Sequence, residues 1–210
     1  MNTKAAIHIN VWSDYVCPYC YLEIPVIDKA IDIYGDRITI QWRAFELRPE
    51  PVPTLQPDGD YLRTTWDRSV YPMAEQRGMI LRLPPVQPRS RKAFEAAAFA
   101  RDNGFSDEMR LALFKAFFEQ GLDLGDIAVL TTIGAQVGLE PENLRRALEN
   151  AQYTEEVAED TRLARDLGIS GVPAMMIGPS TAPLEQAVLV SGAQKFGIVR
   201  AAIERVLRAR

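Results

Sequence analysis

The chain has 210 residues, of which 47% are hydrophobic and 25% charged, and a formal net charge of −4. That length and apolar content allow one large domain or two small ones with a buried core, without disulfide staples. The acidic balance argues against nucleic acid or an anionic membrane as the main partner, and no apolar run is long enough to span a bilayer.

Ile7, Ile9 and Val11 alternate with His8, Asn10 and Trp12, the period of a half-buried strand. Lys4 followed by Ala5-Ala6-Ile7-His8-Ile9-Asn10 is too short and too polar a stretch for the apolar part of a secretory leader, so a cytoplasmic location is expected. From Tyr21 the period becomes helical, with Leu22, Ile24, Val26, Ile27, Ala30 and Ile31 spaced to line one side of a helix. Between strand and helix lies Cys17-Pro18-Tyr19-Cys20, which holds both cysteines of the chain. Gly35-Asp36 predicts a turn and Ile38 to Arg43 a second strand, which together with the first suits a parallel strand–helix–strand unit. Prolines 49, 51, 53 and 57 end that pattern and mark a boundary.

From about Tyr61 to Leu167 the pattern is almost entirely helical. Helices are expected over 61–77, stopped by Gly78, and over 91–103, stopped by Gly104, with the stiff Pro84–Pro88 stretch between them. Ser106 is the expected N-cap of the next helix, with Asp107 and Glu108 in its first turn and Gly121 past its end. Further helices are expected over 126–137 before Gly138, from Pro141, and from Thr154 to Gly168. Phe114, Phe117 and Phe118 sit at plain amphipathic spacing and read as core. Strand signals return at Ala174–Ile177 and Ala187–Val190, separated as in a hairpin, and a helix from about Ala193 to Ala209 follows. The expected organisation is α/β, with residues 1–57 and 168–210 forming one domain and 58–167 an all-helical insertion.

The two cysteines are spaced for joint use. Cys17 falls at the helix N-terminus, where unpaired backbone N–H groups and the dipole favour a thiolate. Pro18 suits the first helical position, and Cys20 lies nearly one turn on, close enough to attack a mixed disulfide on Cys17. Cys17 is therefore expected to be the exposed, reactive thiol and Cys20 the buried one. A closed zinc site needs about four N or S ligands, and the chain offers one histidine, His8, so only zinc shared between two copies would escape that count. A structural disulfide over so short a loop would stabilise little. Redox chemistry is the expected use, and a reducing compartment permits it.

Gly171-Val172-Pro173 immediately precedes the third strand. X-Pro is the bond type that becomes cis at small expense, and we expect a cis Val172–Pro173 bond whose Val172 N–H and C=O face outward to pair with an extended substrate segment. Glu46, at the end of the second strand, reads as a surface or capping carboxylate before a proton relay for Cys20.

The segments Trp12–Tyr21, Phe45-Glu46-Leu47 and Leu167–Pro173 together resemble the DsbA-like thioredoxin superfamily, in particular its cytoplasmic FrnE-like branch. The resemblance covers nearly the whole chain and implies a thioredoxin fold interrupted by a helical insertion. It implies dithiol–disulfide oxidoreductase activity on protein or small-molecule thiols and disulfides. Cys17 would be the nucleophile, Cys20 the resolving thiol, Pro173 the neighbouring cis-proline, and Pro18 and Tyr19 the residues that tune the pair. No bound cofactor or metal is implied, while glutathione or another low-molecular-weight thiol is open as a co-substrate. Periplasmic DsbA proteins carry a histidine where Tyr19 stands; Cys-Pro-Tyr-Cys is similar to the glutaredoxin motif, so strong oxidant behaviour is not expected. Kappa-class glutathione transferases and 2-hydroxychromene-2-carboxylate isomerases resemble this layout too, but use serine at the nucleophile position. A chaperone-like binder using the Val172-Pro173 groove without turnover is the third reading.

Overall fold

In a computed structural model, which describes residues 6–209, the chain divides into two compact units, Met1–Phe45 with Thr161–Arg210, and Glu46–Asp160. The divisions lie at 45/46 and 160/161 rather than at the prolines and glycine that suggested 57/58 and 167/168. Hydrogen bonds explain the shift. Arg89 donates to the carbonyls of Arg48 and Val52, and Arg91 binds Glu46, so residues 46–52 are tied to the second unit. Thr161 donates to the Ala44 carbonyl and Ala164 packs beside Trp12, which ties the end of the long helix to the first unit.

Among the described residues of the first unit, β1 (Ile7–Ser13), β2 (Ile38–Ala44), β3 (Ala174–Pro179) and β4 (Val188–Ser191) form one sheet in the order β2-β1-β3-β4. The β1–β2 pair is parallel, and β3 is antiparallel to both β1 and β4. Ile7, Ile9 and Val11 face a core completed by Val26, Ile27 and Ala30 of α1 (Pro18–Tyr34) and by Val199, Ile203 and Val206 of a C-terminal helix, Phe196–Arg208. The opposite sheet face buries Trp12, Ala174 and Met176 against Phe45, Ala164 and Ile169. This is the mixed sheet, covered by helices, of a thioredoxin fold.

α1 runs through Pro25, which is exposed and deprives one carbonyl of its helical partner. Interior proline costs about 3 kcal/mol, whereas each fully buried aliphatic side chain stabilises by about 1.5–3 kcal/mol. Leu22, Ile24, Val26 and Ile27 therefore outweigh it. Ile31, expected in the same stripe, is 41% exposed, because one residue past Ala30 turns about 100° away.

The second unit is helical: α2 (Asp60–Thr65), α3 (Tyr71–Gln76), α4 (Arg91–Asp102), α5 (Ser106–Phe118), α6 (Ile127–Val137), α7 (Pro141–Glu149) and the first half of α8 (Thr154–Asp166). The helix expected over 61–77 contains a π-turn, Trp66–Val70, just before Pro72, which has no N–H to give to the preceding turn. Phe105, not Ser106, caps α5: the Phe105 carbonyl accepts the Met109 N–H, and no side chain caps that end. Asp126 does cap α6, accepting the Ala128 N–H at 2.7 Å, and Gly138 ends it in the left-handed conformation at φ 102°. Phe114, Phe117 and Phe118 are each at most 1% exposed, with Phe117 and Phe118 edge to face at 4.8 Å.

Candidate active site at the start of helix α1

The strand register brings the two sequence-distant segments together. Trp12 in β1 pairs with Ala174 in β3, so the loop leaving β1 and the Gly171-Val172-Pro173 loop entering β3 meet at one end of the sheet. Cys17 is the N-cap of α1, with φ −95° and ψ 113°, and Pro18 occupies the first turn. The Cys17 carbonyl accepts the Cys20 N–H at 3.1 Å, and the Cys17 N–H donates to the Asp14 carbonyl at 3.1 Å. Both cysteines are free thiols. The Val172–Pro173 bond is cis, as is Glu50–Pro51 in the proline-rich segment.

Cys17 is not the solvent-exposed thiol that its position suggested: it is 4% exposed, against 1% for Cys20. The Val172 carbonyl covers it, accepting from the Cys17 thiol at 3.6 Å, so that carbonyl is not unpaired either. Pro173 is buried beside it, and its own carbonyl accepts the Gly192 N–H at 2.8 Å. The two thiols thus differ less in exposure than in surroundings. Cys20 accepts the Asp14 N–H at 3.4 Å under the first turn of α1. Burial pushes the Cys20 thiol well above its ordinary 9.0, and Cys17 pushes the same way, while the Asp14 N–H and the Ser13 hydroxyl act against them.

Three polar residues of this region are buried, and two of them, Ser13 and Glu23, were not singled out from sequence. Asp14 is fully buried, and its carboxylate accepts the Val16 N–H at 3.2 Å. Glu23, also fully buried, lies three residues past Cys20 and accepts the Gln194 N–H at 3.0 Å, which fastens the loop after β4 to α1. A charged residue inside the apolar stripe Leu22–Ile27 was the available signal. Ser13 is 6% exposed, and its hydroxyl reaches no oxygen or nitrogen partner. Glu46 is neither on the surface nor a helix cap: it is 3% exposed and paired with Arg91 inside the second unit. Among the described residues, no three His, Cys, Asp or Glu side chains gather to hold a metal ion, and no helix is long and apolar enough to cross a membrane.

The raised Cys20 pKa gives a stability prediction. With the folded value above the unfolded one, the neutral buried thiol contributes stability that is intact below about pH 9 and lost as pH rises through the folded value. The unfolded chain holds fewer protons in that window, so unfolding free energy falls by up to about 1.4 kcal/mol per pH unit. Chemical denaturation of the reduced protein at a series of alkaline pH values should show this slope, and Cys20→Ala should remove it. An identical slope in the variant would contradict the assignment.

The sequence family described as the DSBA-like thioredoxin domain matches residues 8–205. The uncharacterized protein YwbO of Bacillus subtilis (strain 168) is 35% identical over 181 residues, which are 84% of this chain and 90% of YwbO. Among solved structures, the probable DsbA oxidoreductase SCO1869 from Streptomyces coelicolor is similar with a TM-score of 0.80 and 23% identity, covering 97% of this chain and 91% of that one. A 2-hydroxychromene-2-carboxylate isomerase is similar with a TM-score of 0.76 and 17% identity, covering 96% and 97%. Proteins named for different reactions therefore share this fold. Matched along nearly its whole length, the chain belongs to the DsbA-like thioredoxin domain family.

Proposed function

We propose that the protein is a thiol–disulfide oxidoreductase that exchanges disulfides with protein or small-molecule substrates through Cys17 and Cys20. The observation that carries this reading is the pair itself. Two free thiols sit on the first turn of α1, and the sulfur of the first lies 3.6 Å from the Val172 carbonyl at the mouth of β3. Because an isomerase shares the fold, the fold alone does not select the chemistry; a second thiol at position 20 supports disulfide exchange.

In the reductive direction, the Cys17 thiolate attacks one sulfur of a substrate disulfide, forming a mixed disulfide and releasing the other half as a thiolate. Cys20 then attacks the Cys17 sulfur, the bond from Cys17 to the substrate breaks, and the second half leaves as a thiolate. The Cys20 proton ends on that leaving sulfur. Two electrons have passed to the substrate, and Cys17–Cys20 is a disulfide. Glutathione or another low-molecular-weight thiol resets it by the reverse exchange, so no bound cofactor is needed. Val172 and Pro173 line the place where the substrate sulfur enters, and Pro18 and Tyr19 tune the pair. The site belongs to the cytoplasmic, FrnE-like branch in this reading, acting where thiols are kept reduced.

Turnover of a protein disulfide and of a small aliphatic disulfide, with glutathione as reductant, tests the reading against a Cys17→Ala/Cys20→Ala variant. Activity in the parent and none in the variant is expected. Equal activity in both, or suppression of client aggregation that survives loss of both thiols with no exchange in the parent, would point to a binder. With Tyr19 in place of a histidine between the cysteines, the potential should lie near about −200 to −230 mV rather than the roughly −120 mV of a strong oxidant. Equilibration against glutathione buffers measures it, and a value at the oxidant end would contradict the role given to Tyr19.

A further inference from the structure

We infer that the Ser13 hydroxyl is the hydrogen-bond donor that receives the Cys20 thiolate when Cys20 attacks a mixed disulfide on Cys17. This rests on the proposed oxidoreductase reading and names a group that serves its second step. Ser13 ends β1 on the face where Ile7, Ile9 and Val11 enter the apolar core, so strand alternation assigns its place to an apolar side chain. Its backbone is held by the Phe45 N–H, which donates to the Ser13 carbonyl at 3.0 Å. Its hydroxyl is buried and makes no hydrogen bond of good geometry with the pair reduced. An unmade bond on a buried hydroxyl is unfavourable, and alanine would avoid it. The hydroxyl gains a partner when the neighbouring sulfur becomes an anion.

At 1% exposure Cys20 is shut away from water, and among the described residues the Asp14 N–H donates to its sulfur at 3.4 Å. Cys17 lies beside it and acts against a second thiolate, as burial does. A negative charge in such surroundings needs more than one donor. Ser13 and Asp14, adjacent in the chain, supply two: an O–H and an N–H. The influence of Ser13 on Cys20 already has the required sign, since it favours the thiolate. In the step itself the Cys20 sulfur loses its proton to the departing thiolate and forms the bond to Cys17, as the bond from Cys17 to the substrate breaks. The Ser13 hydroxyl keeps its own proton throughout.

A chromogenic aryl disulfide resolves the two steps on the reduced full-length protein. The first equivalent of coloured thiolate reports attack by Cys17, and the second reports attack by Cys20. Ser13→Ala should leave the first phase unchanged and slow the second at least about tenfold at neutral pH, while Ser13→Thr, which keeps the hydroxyl, should retain most of the second-phase rate. In a Cys17→Ala background, ultraviolet titration of the Cys20 thiolate should move upward by about one pH unit with Ser13→Ala, the same factor of ten. A second phase and a titration that ignore Ser13→Ala would overturn the role of Ser13 and leave the dithiol reading intact. A parent protein that never releases the second equivalent would overturn the dithiol reading, and this role with it.

Discussion

Cys17→Ser should reduce disulfide exchange to background, a loss of at least about 10³-fold in kcat/KM, while the protein stays folded. The oxygen replaces a nucleophilic sulfur that no neighbour can substitute, because Cys20 is 1% exposed and its thiol is pushed up by burial. Cys20→Ser should behave differently. Cys17 retains its attack, and the mixed disulfide persists because nothing resolves it, so substrate accumulates covalently on the variant. Mass spectrometry of each variant after exposure to a disulfide peptide distinguishes them. An adduct on Cys17→Ser, or none on Cys20→Ser, would reverse the order of attack.

Arg91→Ala should destabilise the second unit by about 2–3 kcal/mol. Glu46 is 3% exposed, and Arg91 meets one of its oxygens through both Nε, at 2.8 Å, and Nη2. Arg91 also donates to the Thr154 carbonyl at 3.3 Å, which joins the start of α4 to the start of α8. Breaking a fully buried pair costs about 3–5 kcal/mol because a charge is left uncompensated. Arg91 is 29% exposed, so water softens that penalty. Arg91→Met with Glu46→Gln should recover part of the loss, since no charge is then buried without a partner. Chemical denaturation of the single and double variants measures both, and a single-variant loss below about 0.5 kcal/mol would show that Glu46 finds water instead.

Much of this architecture is local and was therefore legible. Ile7–Trp12 and Ile38–Arg43 carry the period of two, the stripe from Leu22 to Ala30 carries the helical period, and Gly104, Gly121, Gly138 and Gly168 each take positive φ just past a helix. The dithiol was legible from spacing alone. What escaped depends on partners far along the chain. Cys17 loses its exposure to a carbonyl 155 residues away, and Glu46 owes its burial to an arginine 45 residues on. Ser13 and Glu23 were visible as polar interruptions of apolar patterns, but their use follows only once Cys20 and Gln194 are seen beside them. Ser106 has the right residue type for a cap, yet the first helical bond is accepted one residue earlier.

The antiparallel pairing of β1 with β3 has a consequence for biosynthesis. The carbonyl that shields Cys17 is added 155 residues after Cys17 itself. At about 5–20 residues per second, the nascent chain carries both thiols without that cover for about 8–30 s. During that interval oxidants, electrophiles and soft metal ions meet a bare vicinal dithiol, more accessible than at any later time. Synthesis rate and the local thiol pool therefore govern how many molecules leave the ribosome with their cysteines intact.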